Sequence, residues 1–139
     1  MVIKATKIIL VNQRNKEVLL YLRDNKPSIP HPGYWDLFGG SIEEGESPLE
    51  SIKREVKEEI GIKIKDPIFL GDLFYKKDSL CNYNTKISVF TDKVVIPLDK
   101  IKLTEGQKLE YFKLEELSKI KFPPFYKDFI IKNREILGV

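Results

Sequence analysis

The sequence has 139 residues but only one cysteine and one histidine, and it contains no long apolar run. The single cysteine, Cys81, excludes an intramolecular disulfide framework and is typical of a reducing compartment. With His31 as its only potential partner, Cys81 is interpreted as an inert or partly buried thiol. No Ser/His/Asp or Cys/His set is visible, so the sequence gives no indication of covalent catalysis.

The chain also lacks a hydrophobic segment long enough to cross a bilayer, so no membrane span is expected. Charged residues interrupt the N-terminal stretch too early for a signal peptide, which favours a cytoplasmic location. The formal net charge is +3, but the lysines are scattered among acidic residues and form no basic stripe with interleaved aromatics. Neither nucleic acid nor a membrane is therefore an expected partner.

The composition and length fit a globular protein of one domain, residues 1–139, with 42% hydrophobic and 11% aromatic residues. Apolar, β-branched runs predict strands, the first two joined as a hairpin, at 3–11, 17–22, 34–38, 68–75, 86–96 and 108–113. Helical signals lie at 47–61, 115–118 and 124–137, and the prolines of 25–33 predict a loop. Strands with helices interspersed indicate an α/β or α+β domain.

The clearest helix follows Ser47, which is a good N-cap residue. Pro48 occupies the first helical position, Glu50 completes a capping box with the serine, and Gly61 is a natural stop. Between these signals runs one apolar stripe that is expected to pack on the sheet, formed by Leu49, Ile52, Val56 and Ile60.

Three glutamates crowd this helix, although like charges at i,i+4 spacing are unfavourable. Glu55 and Glu59 lie about 40° apart beside the apolar stripe, while Glu58 lies further towards solvent. Arg54 is four residues from both Glu50 and Glu58 and can brace the cluster. One interpretation is a solvated acidic face. We prefer a site for a hard divalent cation, because carboxylate oxygens are ligands for Mg²⁺ and Mn²⁺.

The same residues carry a resemblance to a known family. The Nudix hydrolase box has the pattern G-x5-E-x7-R-E-U-x-E-E-x-G-U, where U is an apolar residue. All nine positions are filled here, by Gly40, Glu46, Arg54, Glu55, Val56, Glu58, Glu59, Gly61 and Ile62. Weaker similarity to MutT-like members extends over most of the chain, at 20–23, 34–35, 105–107, 110–112 and 116–117.

The resemblance implies a Nudix-type α/β/α sandwich around a mixed β-sheet. It also implies a Mg²⁺-dependent or Mn²⁺-dependent pyrophosphohydrolase that cleaves a nucleoside diphosphate linked to another group. A nucleoside triphosphate, cleaved to the monophosphate and pyrophosphate, is the preferred substrate. Nucleotide sugars, including ADP-ribose, and a non-catalytic nucleotide-binding module are the alternatives. The oligomeric state stays open, and a homodimer is compatible with the resemblance.

The resemblance also assigns roles residue by residue. It implies a metal site formed by Gly40, Glu55, Glu58, Glu59 and Glu105. Catalytic roles fall on Glu55, Glu58 and Glu105, as ligands, water-orienting groups or the base. Glu46 and Arg54 match a structural ion pair of the box.

The chain departs from the family at two positions, and its substrate contacts are less defined. Phe38 stands where the family usually has a proline before the paired glycines, which changes loop rigidity more than chemistry. Tyr126 replaces an asparagine that reads an oxidised guanine in MutT-type members, which weakens that specificity. Candidate substrate contacts are Arg23, Phe74 and Tyr126, with Tyr75, Tyr83 and Phe125 as further stacking candidates. Each has a structural alternative: packing for the aromatics, and a surface ion pair with Asp24 or Asp36 for Arg23. His31 is expected to be an exposed loop residue, and Trp35 a core residue.

Overall fold

The computed structural model describes residues 1–139. The strands are β1 (Val2–Asn12), β2 (Glu17–Leu22), β3 (Trp35–Asp36), β4 (Phe38–Ser41), β5 (Ile68–Tyr75), β6 (Asn84–Lys93) and β7 (Lys108–Lys113). The helices are α1 (Pro48–Ile60), α2 (Pro124–Lys132) and α3 (Arg134–Leu137), with short 3-10 helices at Leu98–Lys100 and Leu114–Lys119. None of these helices has the length and apolar character of a membrane span.

All seven strands belong to one mixed sheet with β1 at its centre. β1 runs parallel to β6 and antiparallel to β2, with which it forms the expected hairpin. Its N-terminal half pairs instead with β4, so that Lys7 lies opposite Gly39 and Ile8 lies opposite Phe38. β5 forms one edge of the sheet next to β6, and β7 pairs with β2. A sheet with one parallel pair among antiparallel pairs is the mixed sheet that the sequence predicts.

The two faces of this sheet carry separate hydrophobic cores. Successive side chains of a strand point to opposite faces, and β1 therefore contributes Ile9 to one core and Ile8 to the other. The first core is closed by α2 and α3, for instance through Ile130. The second core is closed by α1, through Ile52 and Val56. Helices on both faces make the α/β/α sandwich, which confirms the expected fold class.

Helix α1 begins and ends where its signals predict. The Ser47 hydroxyl accepts the backbone N–H of Glu50, and the Glu50 carboxylate accepts the backbone N–H of Ser47, which completes the capping box. Gly61 ends the helix in the left-handed region with φ of 70°. One member of the predicted apolar stripe does not pack, since Leu49 is 41% exposed. It lies in the first turn of the helix.

Three other element predictions were wrong in detail. The strand expected over 86–96 is Asn84–Lys93 and ends three residues earlier. The strand expected over 34–38 is split at Leu37, because the Asp36 carboxylate accepts the Leu37 N–H and the chain changes partner from β2 to β1. The helix expected over 124–137 breaks at Asn133, whose side-chain amide donates to the carbonyl of Phe129. Local side-chain to backbone hydrogen bonds of this kind compete with regular structure.

Candidate active site

The paired glycines of β4 lie against the acidic side of α1. A Cβ on Gly39 would stand 2.0 Å from the carbonyl oxygen of Thr6, and the residue has φ of 139°, so only glycine fits. A Cβ on Gly40 would stand 2.6 Å from Oε1 of Glu55. The absence of side chains at both positions lets the α1 carboxylates reach the backbone of β4.

Glu59 is the most deeply buried of the box acids, with 8% of its surface exposed. Its Oε1 accepts the backbone N–H of Gly39 at 2.9 Å. The pKa of the Glu59 carboxyl is raised from 4.5 to about 8, mainly by burial and also by the neighbouring Glu55, against the opposing effects of Lys7 and the Gly39 N–H. Burial also raises the pKa of Glu55, with Arg54 opposing the shift. The helix therefore holds two carboxylates in a place that disfavours their negative charge.

Arg54 connects three of the four acids of the box, Glu46, Glu55 and Glu58. Its guanidinium makes a two-point contact with Glu46, through Nε to Oε2 at 2.6 Å and Nη2 to Oε1 at 3.0 Å. Nη1 donates to Glu55 at 3.1 Å and to Glu58 at 3.2 Å. Glu50 does not contact Arg54, because its carboxylate is used in the capping box. The hydrogen bonds from Arg54 lower the pKa of Glu46 to about 2, so this carboxylate stays ionised.

The structure does not assemble all the expected metal ligands in one place. No group of three or more His, Cys, Asp or Glu side chains is arranged as a ready metal site. The Glu58 side chain is 59% exposed and lies beside Arg54. Glu105 lines a separate cavity, although the neighbouring Thr104 donates its N–H to the carbonyl of Glu59 at 3.0 Å.

The chemistry of the remaining donors nevertheless fits Mg²⁺ or Mn²⁺. Glu55 and Glu59 present hard carboxylate oxygens next to the backbone of Gly39 and Gly40. Mg²⁺ is usually held by one or two carboxylates together with waters and substrate phosphates, and not by a complete protein cage. A pair of carboxylates is therefore a sufficient protein contribution, and a cation there would also relieve their repulsion.

A cavity of about 190 Å³ opens on the other side of the same glycines, on the α2 face of the sheet. Gly39, Gly40 and Ser41 form its edge next to the acids. Its walls combine aliphatic and polar residues with five aromatic rings, those of His31, Tyr75, Tyr83, Phe125 and Tyr126. Phe125 packs against Tyr75 and Tyr126 with ring centroids 5.1 and 4.3 Å apart.

The floor of the cavity is charged. Oδ2 of Asp36 accepts from Lys7 Nζ at 3.0 Å and from Arg23 Nη1 at 3.1 Å. All three side chains are largely buried, with 10% to 18% of their surface exposed. Arg23 thus pairs with Asp36, one of its two expected partners, but the ion pair is buried and not at the surface as expected. Arg23 also lines the cavity. Asp24 instead lies 3.9 Å from Lys26.

The substrate candidates named from the sequence lie in different places. Tyr126 is 5% exposed and lines the cavity, but Phe74 is 74% exposed and lies outside it. The next strand residue, Tyr75, points to the opposite face and lines the cavity. The expectation of an exposed His31 was wrong: its ring is half-buried, edge-on to Tyr75, and burial lowers its pKa. Trp35 is a core residue as expected.

Sequence reasoning did not single out Lys7, and it named Asp36 only as a possible partner of Arg23. One signal for Lys7 was available, since it directly precedes the apolar run at 8–11 in β1. A charged residue inside a central strand normally has a buried partner. The partner could not be named from the sequence, because Asp36 is 29 residues away and joins it only across the sheet.

With this geometry established, the chain can be compared with known proteins. The family model for the NUDIX domain matches residues 2–132, and the chain therefore belongs to the Nudix family. Nudix hydrolase 3 of Arabidopsis thaliana is 29% identical over 94% of this chain, but the chain spans only 17% of that protein. Diphosphoinositol polyphosphate phosphohydrolase 3-beta of Bos taurus is 30% identical, with 84% of this chain and 67% of that protein aligned.

Two further comparisons concern MutT-like proteins. The 8-oxo-dGTP diphosphatase of Buchnera aphidicola is 27% identical, with 88% of this chain and 79% of that protein aligned. The crystal structure of a MutT protein from Methanosarcina mazei superposes with a TM-score of 0.81 at 29% identity, covering 96% of this chain and 94% of that chain. These similarities confirm the resemblance and identify the chain as a Nudix hydrolase that acts on phosphoric anhydrides.

Proposed function

We propose that the protein is a Mg²⁺-dependent or Mn²⁺-dependent pyrophosphohydrolase whose preferred substrate is a nucleoside triphosphate, cleaved to the monophosphate and pyrophosphate. The observation that carries this proposal is the shared edge formed by Gly39 and Gly40. On one side of the edge lie Glu55 and Glu59, and on the other lies a cavity with aromatic walls. A nucleotide has the matching order of parts, a flat base followed by a chain of phosphates.

The proposed roles follow from where each group lies. Glu55 and Glu59, with the carbonyl of Gly40, would hold the cation, which would supply neutralisation of phosphate charge and a bound water of lowered pKa. Glu58 and Glu105 are exposed to solvent, so they are the candidates for orienting water or accepting its proton. Glu105 is also a candidate for a further metal ligand. Arg54 and Glu46 are positioning residues, because Arg54 fixes the Glu55 carboxylate.

The base is proposed to enter the aromatic cavity. At about 190 Å³ the cavity is smaller than the roughly 300–1,000 Å³ that encloses a drug-sized ligand, so it suits one ring system while the phosphates lie outside. Nucleotide sugars, including ADP-ribose, share that base and remain the alternative substrates. A diphosphoinositol compound, the class in the name of one relative, would leave the aromatic walls without a flat ring to contact.

The test is a panel of compounds incubated with Mg²⁺ and scored for the phosphate species released. The panel contains nucleoside triphosphates, nucleotide sugars, ADP-ribose and a diphosphoinositol polyphosphate. Release of pyrophosphate and monophosphate from triphosphates supports the proposal, and release of orthophosphate would indicate a different cleaved bond. A protein that binds nucleotides but hydrolyses none of the panel would be the non-catalytic module.

The partners and the location are also proposals. A free, buried Cys81 suits a reducing compartment such as the cytoplasm. No nucleic-acid partner is expected from the scattered lysines. A homodimer would have the β5 edge available, where Ile68, Phe69 and Phe74 are exposed. Light scattering at several protein concentrations measures the oligomeric state.

A further inference from the structure

The charged floor of the cavity is unusual for the centre of a sheet. Lys7 lies on β1 between β4 and β6, opposite Gly39 on one side and Val89 on the other. Its neighbours on the same face, Ala5 and Ile9, are buried and apolar. The Lys7 side chain is only 11% exposed, so its stem is packed and its ammonium group is held at a defined place in the cavity.

The carboxylate of the floor is nearly saturated with hydrogen bonds. Oδ2 of Asp36 accepts from both Lys7 and Arg23, and Oδ1 accepts the backbone N–H of Leu37 at 2.7 Å. A carboxylate has about four acceptor sites, and three are thus in use. Asp36 has little capacity left to accept a hydrogen bond from a ligand.

The two cations of the floor keep unused donors. Lys7 Nζ donates to Asp36 and to the carbonyl of Leu37, which uses two of its three protons. Arg23 donates through Nε to the carbonyl of Pro30 and through Nη1 to Asp36 and the Tyr21 hydroxyl, which uses three of five. The floor therefore offers hydrogen-bond donors and positive charge, with two cations against one carboxylate.

We propose that Lys7 is a specificity-determining residue that selects a base with an oxo group over a base with an amino group at the same ring position. This inference rests on the proposed function, because it takes the base into the aromatic cavity. A ring stacked on Tyr75 or Phe125 turns its edge towards the floor. A carbonyl oxygen there accepts from the Lys7 ammonium, whereas an exocyclic amino group would place its N–H protons against a second donor.

A different role for Lys7 would leave a different signature. Lys7 lies opposite Gly39, and its charge opposes the rise that burial causes in the pKa of both Glu55 and Glu59, so it could instead act on the phosphates. A residue that contacts phosphate affects every nucleotide equally. A residue that reads the base changes the ratio between nucleotides that differ at one substituent.

The experiment compares kcat/KM within two matched pairs, inosine against adenosine triphosphate and uridine against cytidine triphosphate. Each pair exchanges one oxo group for one amino group, and the adjacent ring nitrogen changes from a hydrogen-bond donor to an acceptor. We expect the wild type to prefer the oxo member of at least one pair by roughly tenfold to a hundredfold, the range of a charge-assisted hydrogen bond. In Lys7→Met the preference should fall to within about threefold, because kcat/KM for the oxo member decreases.

Lys86→Met is the matched control, because it removes a lysine of the adjacent strand that pairs with Asp72 and lies outside the cavity. It should keep the wild-type ratio. In Lys7→Met, Asp36 keeps its contacts with Arg23 and Leu37, so folding is expected, and a thermal melt checks it. The wild-type ratios test the inference even if the variant is unfolded.

The outcomes separate this inference from the proposed function. Failure to hydrolyse any nucleotide contradicts the proposed function itself. Hydrolysis with both wild-type ratios within twofold contradicts the inference alone. An equal loss on all four nucleotides in Lys7→Met also contradicts it and assigns Lys7 to the phosphates.

Discussion

Glu59 combines burial, a backbone hydrogen bond and a neighbouring carboxylate. Because of these properties, we expect its substitution to lower the hydrolysis rate more than any other single substitution. Its carboxylate is fixed by the Gly39 N–H, so its oxygens cannot simply turn away from Glu55. Two carboxylates held this close destabilise the metal-free protein but favour the binding of a cation. Function therefore provides a reason for a feature that stability alone would remove.

Glu59→Gln is expected to lower the hydrolysis rate by roughly a hundredfold or more, because a neutral amide weakens cation binding and water activation together. The rate is measured as pyrophosphate release at saturating Mg²⁺. Glu44→Gln is the control, since Glu44 is an exposed acid of the same segment without an ion pair. Equal losses in both variants would mean that the acidic segment acts through its total charge.

The raised pKa of Glu59 also predicts how stability depends on pH in metal-free buffer. The folded state holds this proton up to about pH 8, whereas the ordinary value is 4.5. Because the folded state binds more protons in this window, the free energy of unfolding falls as the pH rises from about 4.5 to 8. Glu59→Gln cannot ionise, so its melting temperature relative to wild type should rise by at least about 2 °C between pH 5 and pH 8.5. An unchanged difference would show that Glu59 ionises normally.

At the scale of elements, the strand β4 brings α1 and the cavity together through two glycines with different requirements. Gly39 is constrained by backbone, because its missing Cβ would meet the Thr6 carbonyl. Gly40 is constrained only by the end of the flexible Glu55 side chain. Substitution of Gly39 should therefore affect folding, whereas substitution of Gly40 should affect activity.

Gly39→Ala is expected to destabilise the fold by about 3 kcal/mol or more, since neither the φ of 139° nor the backbone contact can relax cheaply. Gly40→Ala should keep a melting temperature near that of wild type. Its activity should fall roughly tenfold to a hundredfold, because the methyl group displaces the Glu55 carboxylate. Thermal melts and rates on both proteins check this. Severe unfolding of Gly40→Ala would refute the distinction.

Elements and sites differ in how far the sequence predicts them. Helix α1 could be predicted closely because its start and stop signals, Ser47 and Gly61, are local. The breaks at Leu37 and Asn133 depend on single side-chain hydrogen bonds that periodicity does not show. The cavity floor could not be predicted, since Lys7 and Asp36 meet only after the sheet has formed.

At the scale of the whole molecule, β1 contributes to both hydrophobic cores and links them. We therefore expect the two layers to unfold together, and the single domain over residues 1–139 stays a prediction. Because the proposed cation site joins α1 to β4, a bound cation should stabilise the entire fold and not one segment.

Magnesium should raise the melting temperature of the protein. A cation at about tenfold excess over its Kd stabilises the folded state by about 1.4 kcal/mol, which corresponds to roughly 3–6 °C for a domain of this size. The Glu55→Gln/Glu59→Gln variant should lose most of this shift. The melt is recorded in EDTA and in about 10 mM Mg²⁺, because weak sites have Kd values on the order of millimolar. An equal shift in the variant would place the stabilising ion elsewhere.

The central claim is that Glu55 and Glu59 hold the cation that hydrolysis needs. The most direct test follows pyrophosphate release from a nucleoside triphosphate, first in EDTA and then after addition of excess Mg²⁺, for wild type and Glu55→Gln/Glu59→Gln. We expect no release in EDTA, full recovery of the wild type with Mg²⁺, and a rate at least roughly a hundredfold lower in the variant. Turnover in EDTA, or a variant as fast as wild type, would contradict the account.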